Sequence, residues 1–406
     1  MVLITALLAL RISGPREAID KYLLEDNQEI NTNVAMVETG GSHDEVTAAL
    51  YYAIGSVPGV YTSMYLSLPR FGIEKVYAWI HRRYKLSPYS ISQPNLFHSN
   101  HTILPDAIIL TSCEHDVHVV DTALHYYFER GPRQQMLICV MHHTELFRSV
   151  EERLRRWARA GRLRFIALST HTAHELRKEV DNFNQDLYNK VIIDTFPPIF
   201  PVPLDPNPPP TDRLSIAIQG NFEDSRRDYL KTLLNFERMI DELPEPIVSR
   251  IHFILAGNGN KVGVPAKVMP YVSVNFSLDF IPYYNLLRES FALIPAFADE
   301  AYYHTKASSS VAASFMANAP ILGSQRLLES YGYLSQEAMW HSEKAEESEM
   351  NAVYELLREH FDDNGHEKPS WRSTVKAKKQ AVKTRGSELM KQNAQLMRDI
   401  ILKQGS

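Results

Sequence analysis

Cysteine is scarce, with Cys113 and Cys139 the only two in 406 residues. Two cysteines cannot form a disulfide framework or a four-cysteine zinc site. Cys139 sits inside the apolar run Met136 to Met141 and Cys113 just after Ala107 to Leu110, and the two read as buried free thiols. No run of ~18 apolar residues occurs, which excludes a polytopic membrane protein. Positive charge is not in excess: the formal net charge is -5, so no global field draws nucleic acid. H-E-x-x-H is missing, and so is the P-loop pattern G-x-x-x-x-G-K-[ST]. G-x-G-x-x-G fails at Val262, which follows Gly257-Asn258-Gly259-Asn260-Lys261.

What is present is an ordinary globular composition. Hydrophobic residues make up 44% and charged residues 22%, enough apolar content to exclude wholesale disorder. At roughly 150 residues per domain the length predicts two or three domains. Met1 to Leu10 is almost wholly apolar yet too short to span a bilayer. It reads as the stub of a trimmed anchor, or as a strand or helix packed on the core. Asn100-His101-Thr102 and Asn275-Phe276-Ser277 match the N-glycosylation triplet. The compartment reads as cytoplasmic, or as an endomembrane lumen if the N-terminus is a trimmed anchor.

Short apolar runs alternate with helical patterns twice along the chain. The first set is Asn33 to Val37, Val60 to Leu66, Ala107 to Leu110, Met136 to Met141, Phe165 to Leu168 and Val191 to Ile193. Runs of this length suit strands buried on both faces of a parallel sheet. Phe196 to Pro210 then holds eight prolines, which fix φ and remove donors, so it can join neither helix nor central strand. The pattern restarts with Leu214 to Gln219, a helix from Ser225 to Leu243, and strands at Ile251 to Ala256, Val272 to Phe276, Phe291 to Pro295 and Pro320 to Gly323. The predicted class is α/β, with two Rossmann-like doubly wound domains facing a cleft. Residues 1–196 form the first domain, 197–212 a Pro-rich linker, 213–340 the second domain, and 341–406 a charged helical tail that returns to the first. The tail is acidic from Glu343 to Asp363 and basic from Lys368 to Lys391. Lys376, Lys378, Lys379, Lys383 and Arg385 make it a solvated helical face, or one that touches the other domain or a membrane surface peripherally.

Ligands in such sheets bind beyond the carboxyl ends of the strands. In the second unit those ends carry Gly220-Asn221, Arg226, Arg227 and Lys231, then Gly257, then Pro295 to Glu300, then Lys306, Ser308 and Ser309. Glycine lets the backbone approach a ligand, and cations with a helix N-terminus favour phosphate. Arg227 and Lys231 fall one helical turn apart, on one face of the expected helix. In the first unit the ends carry Gly40-Gly41, His115, His142-His143 and His171. Imidazoles act as acid, base or donor near neutral pH.

These residues resemble the glycosyltransferases of the GT-B fold, especially the retaining type. The resemblance rests on Gly220 with Arg226, Arg227 and Lys231; on Ala256-Gly257-Asn258-Gly259; on Phe280-Ile281-Pro282; on Pro295; and on Ala317-Asn318-Ala319-Pro320-Ile321-Leu322. The Gly40-Gly41 loop and the strand ending at His142-His143 resemble the acceptor domain. The likeness covers about residues 30 to 330. It implies a hexosyltransferase that takes a nucleotide-sugar as co-substrate, without a separate cofactor, and passes the sugar to an acceptor hydroxyl. Gly220, Asn221, Arg227, Lys231, Gly257, Ile281, Lys306, Ser308 and Ser309 would bind the donor. Gly40, Gly41, His115 and His171 would lie on the acceptor side, and His142, His143 and Glu300 would be catalytic. Retaining members carry two glutamates seven residues apart, whereas Glu300 has Ala307 in that register. D-x-D is absent too, so phosphate charge would fall to Arg226, Arg227, Lys231, Lys306 and helix dipoles rather than to a metal. A catalytically degenerate binding protein and a sugar-phosphate epimerase of the same fold are the alternatives.

Overall fold

The structure, a computed structural model, describes residues 31–99, 104–206 and 212–402. Met1 to Leu10, the Asn100-His101-Thr102 triplet and the last prolines of the linker lie outside these residues.

Seven strands form the first sheet: β1 (Thr32–Glu38), β2 (Val60–Leu66), β3 (Tyr89–Ser92), β4 (Ala107–Leu110), β5 (Met136–Met141), β6 (Leu163–Ala167) and β7 (Ile192–Thr195), in the order β3-β2-β1-β4-β5-β6-β7. Six form the second: β8 (Leu214–Gln219), β9 (Ile251–Gly257), β10 (Val272–Phe276), β11 (Ala292–Leu293), β12 (Ile321–Gly323) and β13 (Met339–His341), in the order β10-β9-β8-β11-β12-β13. Every pairing between named strands is parallel. Parallel pairing needs crossovers, and helices on both faces explain why β4 and β5 are apolar without alternation and why β8 is buried along its whole length. In each sheet the strand order reverses between the first and fourth strands, and the crevice at that point is where a doubly wound fold takes its ligand. The two sheets give the fold of a GT-B protein.

The layer between the sheets is one continuous apolar core. It joins Ala49 and Leu50 of the helix Asp44–Gly55, Ala217 of β8, Ala313 of the helix Ser309–Ala317, and Val382 and Leu389 of the final helix Ser370–Leu402. The proline segment enters this core through Phe196, Ile199 and Phe200, all buried, so its first half is a packed strut. Asn393 of the final helix donates to the Pro197 carbonyl at 2.7 Å.

Two expectations are corrected here. Cys113 and Cys139 are joined as a disulfide rather than free, with Cα atoms 5.0 Å apart. β4 and β5 are neighbours, Leu110 pairs with Cys139, and Cys113 opens the helix that leaves β4. The topology brings the two thiols together, which their spacing along the chain does not reveal. The helix expected from Ser225 starts only at Tyr229, because Asp228 caps it by accepting from the Lys231 amide at 3.1 Å. Residues 220–228 are therefore loop.

Candidate active site

A cleft of about 460 Å³ opens between the carboxyl edges of the two sheets. Its second-sheet wall is built around Arg227. Because it sits in the loop before Asp228, Arg227 is free to turn inward, and it is 3% exposed. Its Nη2 donates to the hydroxyls of Ser308 (3.0 Å) and Ser310 (2.9 Å). Nε and Nη1 donate to the carbonyls of Gln219 (3.4 Å) and Arg226 (2.9 Å). The guanidinium lies over the rings of Tyr302 and Phe297, at 5.2 and 5.4 Å. No carboxylate among the described residues lies within 4.0 Å of it. A buried cation without a counter-ion is costly, so the site is electrostatically set to receive an anion.

Three local features shape this wall. Ser308 caps the helix Ser309–Ala317 by accepting from the Ser310 amide, which leaves the helix N-terminus facing the cleft. Gly220 has φ +129, and Gly257 lies against it so closely that a Cβ there would meet the Gly220 carbonyl at 1.7 Å. Gln219 donates to Ser310 at 2.9 Å and accepts from the Tyr283 hydroxyl. Lys306 pairs with Asp299 at 3.5 Å, and both line the cleft.

The first-sheet wall carries titratable imidazoles and carboxyls beside the cation Arg70. His142 follows β5 and is buried, with Nε2 donating to the Thr111 carbonyl at 2.7 Å. Burial lowers its pKa to about 4, so the ring is neutral with Nδ1 as acceptor. His43 stands against it, ring centroids 3.7 Å apart, and burial with the neighbouring His142 and His143 holds His43 well below its ordinary value. Glu114 accepts from the amides of His142 and His143, each at 3.1 Å, and positions both; burial raises it to about 7. Asp116 accepts from the Thr39 amide and hydroxyl and the Ser112 amide, all at 2.8 Å, and burial raises it also to about 7. Asp44, 3.6 Å from Arg70, is likewise raised to about 7 by burial.

Of the residues expected from the sequence, the cleft gathers His142, His143, Gly220, Asn221, Arg227, Gly257, Lys306, Ser308 and Ser309. Several others lie elsewhere. Glu300 is exposed and paired with Arg326, because Asp299 caps the turn Glu300–Tyr303 and takes the inward position. Lys231 is exposed and outside the cleft, since Arg227 precedes the helix and the two share no face. Ile281 packs against the interdomain core, while Phe280 and Tyr283 of the same helix line the cleft. Gly40 and Gly41 sit beside it, with Glu38 accepting from the Gly41 amide at 2.9 Å, and His115 is exposed next to Gly40. His171 joins the two domains instead: its ring nitrogens face the carbonyls of Ser330 (2.8 Å) and Lys306 (3.0 Å). Sequence reasoning passed over His43, Arg70, Gln219, Tyr283 and Asp299. Three of them carried a positional signal: Gln219 ends a strand, Asp299 lies in the strand-end run Pro295 to Glu300, and His43 follows the Gly40-Gly41 loop after the first strand.

No group of three His, Cys, Asp or Glu side chains among the described residues is arranged to hold a metal ion. No helix among them is long and apolar enough to cross a membrane.

No protein-family profile and no curated protein sequence matches the chain. Solved structures do match in fold. HepE from Anabaena in complex with UDP-glucose is 10% identical with a TM-score of 0.57, over 92% of this chain and 99% of that one. A UDP-forming α,α-trehalose-phosphate synthase from Burkholderia xenovorans is 11% identical with a TM-score of 0.52, over 92% and 98%. Sucrose-phosphate synthase from Thermosynechococcus elongatus is 11% identical with a TM-score of 0.50, over 92% and 100%.

Proposed function

We propose that the protein is a glycosyltransferase that moves a hexose from a nucleotide-sugar, held by the second domain, to an acceptor hydroxyl on the first, without a metal. The carrying observation is Arg227, a buried cation with neutral partners at the switch point of the second sheet. Cleavage of a nucleotide-sugar leaves a diphosphate whose charge grows in the transition state, and a preorganised guanidinium stabilises that charge more than it stabilises the substrate. Lys306 and the N-terminus of the helix Ser309–Ala317 add positive potential on the same wall. On the facing wall, neutral His142 or the half-exposed His143 contacts the sugar or relays the acceptor proton. The likeness in fold to proteins described with UDP-glucose or as UDP-forming supports the donor class.

A second reading, a binding protein that has lost turnover, is favoured by one observation: Glu300 points away and Asp299 is tied to Lys306. One experiment separates the two. Nucleotide-sugars are screened for release of the nucleoside diphosphate, in parallel with calorimetric titration of UDP, in buffer containing EDTA. The transferase reading expects binding and release in EDTA. Binding without release from any donor establishes the second reading. Release restored only by added manganese sinks the metal-independent mechanism.

A further inference from the structure

A second cavity, of about 540 Å³, lies at the opposite edge of the second sheet. It is bounded by the residues that lead into the strands: Arg213 before β8, Arg250 before β9, and Arg288 before β11. β8 has six residues, so at ~3.3 Å per residue this edge stands about 20 Å from the Gly220 loop. The far side of the groove is the final helix, which presents Arg372, Lys376, Lys379 and Lys383 at intervals of four, three and four residues, one helical stripe. Two rows of cations thus face each other across open space.

Seven cationic side chains line this groove against three acidic ones, in a chain whose net charge is negative. Two of the three acids are already engaged with Arg250 and Arg372, and the third, Glu289, makes no ion pair within 4.0 Å among the described residues. Glu367 bridges Arg250 (2.6 Å) and Arg372 (2.7 Å), and Asp212 stands 3.5 Å from Arg372. Among the described residues no carboxylate lies within 4.0 Å of Arg288, Lys376, Lys379 or Lys383. Arg288 Nη1 is buried with no hydrogen-bond partner. A buried guanidinium nitrogen without an acceptor leaves its charge uncompensated, which adds to the positive potential that the groove presents to an anion. Lys379 donates to the Arg288 carbonyl at 2.7 Å, so the two cations are held side by side. Burial lowers its pKa to about 8, with Arg288 adding to the shift and Glu289 opposing it.

We propose that this groove is a binding site for a ligand with clustered phosphate groups, separate from the cleft. Its chemistry is shared by soluble polyphosphorylated metabolites and by anionic lipid headgroups. The inference does not rest on glycosyl transfer in the cleft.

The test uses the full chain and tripolyphosphate, titrated by calorimetry. The wild-type protein should bind. Lys376→Ala with Lys383→Ala, both exposed and so compatible with folding, should weaken binding by about tenfold or more, from the loss of two charge-assisted contacts. With excess UDP present to occupy the cleft, the distant exposed pair Arg82→Ala with Arg83→Ala should leave it unchanged. Circular dichroism checks that each variant is folded. Absence of binding overturns the proposal. So does equal affinity in the Lys376/Lys383 variant, or an equal loss in the Arg82/Arg83 variant. Sedimentation with phosphatidylcholine vesicles containing a quarter phosphatidylglycerol distinguishes the sources. Pelleting that depends on Lys376 and Lys383 assigns the groove to a headgroup. Tripolyphosphate binding without pelleting assigns it to a soluble ligand.

Discussion

At the carboxyl edge of the second sheet the buried charge is a guanidinium, and its partners are hydroxyls and carbonyls. At the corresponding edge of the first sheet the buried groups are carboxyls and imidazoles. Glu114 and Asp116 are held by backbone and hydroxyl donors, and His142 is held neutral. The strands run in equivalent order in both sheets, so the fold does not set this difference. The loops do. Topology supplies a crevice, and the side chains at strand ends decide whether a wall takes up an anion or keeps protons.

The largest expected effect breaks the contrast at its cationic side. Each charge-assisted bond to a diphosphate is worth ~1.5–3 kcal/mol, so Arg227→Met should weaken UDP binding by about tenfold or more. Methionine keeps apolar packing against Phe297 and Tyr302 while removing the charge. Undiminished affinity by calorimetry would show the cation to be structural only.

Next comes the protonic side. Asp44, Glu114 and Asp116 are raised to about 7 from 3.8, 4.5 and 3.8, so the folded state binds protons that the unfolded state releases. Their contribution to stability is complete at low pH and is lost as pH rises through about 7. His142, lowered from 6.5 to about 4, acts oppositely: its contribution is present above 6.5 and fades as pH falls toward 4. Between about pH 6 and 8 the carboxyls dominate, so the thermal midpoint should fall as pH rises. Glu114→Gln should flatten that fall, since the amide keeps an acceptor for the His142 and His143 amides without titrating. A slope equal to that of the wild type would falsify the assignment.

A finer test sits within one turn. Asp299→Asn frees Lys306 and alters the cleft, so nucleotide affinity or turnover should change about three- to fivefold, in line with up to ~1 kcal/mol for such a pair. Glu300→Gln breaks only a surface pair and should shift either quantity by less than ~threefold. Equal effects would mean that the inward position of Asp299 has no functional weight. The smallest effect belongs to Lys231→Ala, whose UDP affinity should match the wild type. A loss comparable to that of Arg227→Met would return Lys231 to the site.

How much of this was legible depends on what encodes each part. Runs such as Ala107 to Leu110 and Met136 to Met141 announce buried strands because both faces need apolar side chains. β3 and β13 escaped because they are short edge strands, defined mainly by the neighbour they pair with. Gly220, Gly257, Lys306 and Ser308 were legible because they follow strands or open a helix. The choice between Asp299 and Glu300 was not, since it turns on which carboxylate caps a single turn of 3-10 helix. Lys231 was misplaced by an error of four residues in a helix start. Arg70 reaches the cleft from a loop whose path no periodicity records, whereas His43 sits at a strand end, directly before the helix Asp44–Gly55.

The final helix has a consequence for the order in which the protein is made. Ser370–Leu402 packs on the helix Asp44–Gly55, and Val382, Leu389 and Met397 belong to the same apolar core as Ala49 and Leu50. Roughly 300 residues separate these partners. At ~5–20 residues per second a ribosome takes about 15–60 s to cross that distance. Until residues 370–402 are made, the face of the helix Asp44–Gly55 that they cover has no such cover, so closure of this part of the core waits on their synthesis.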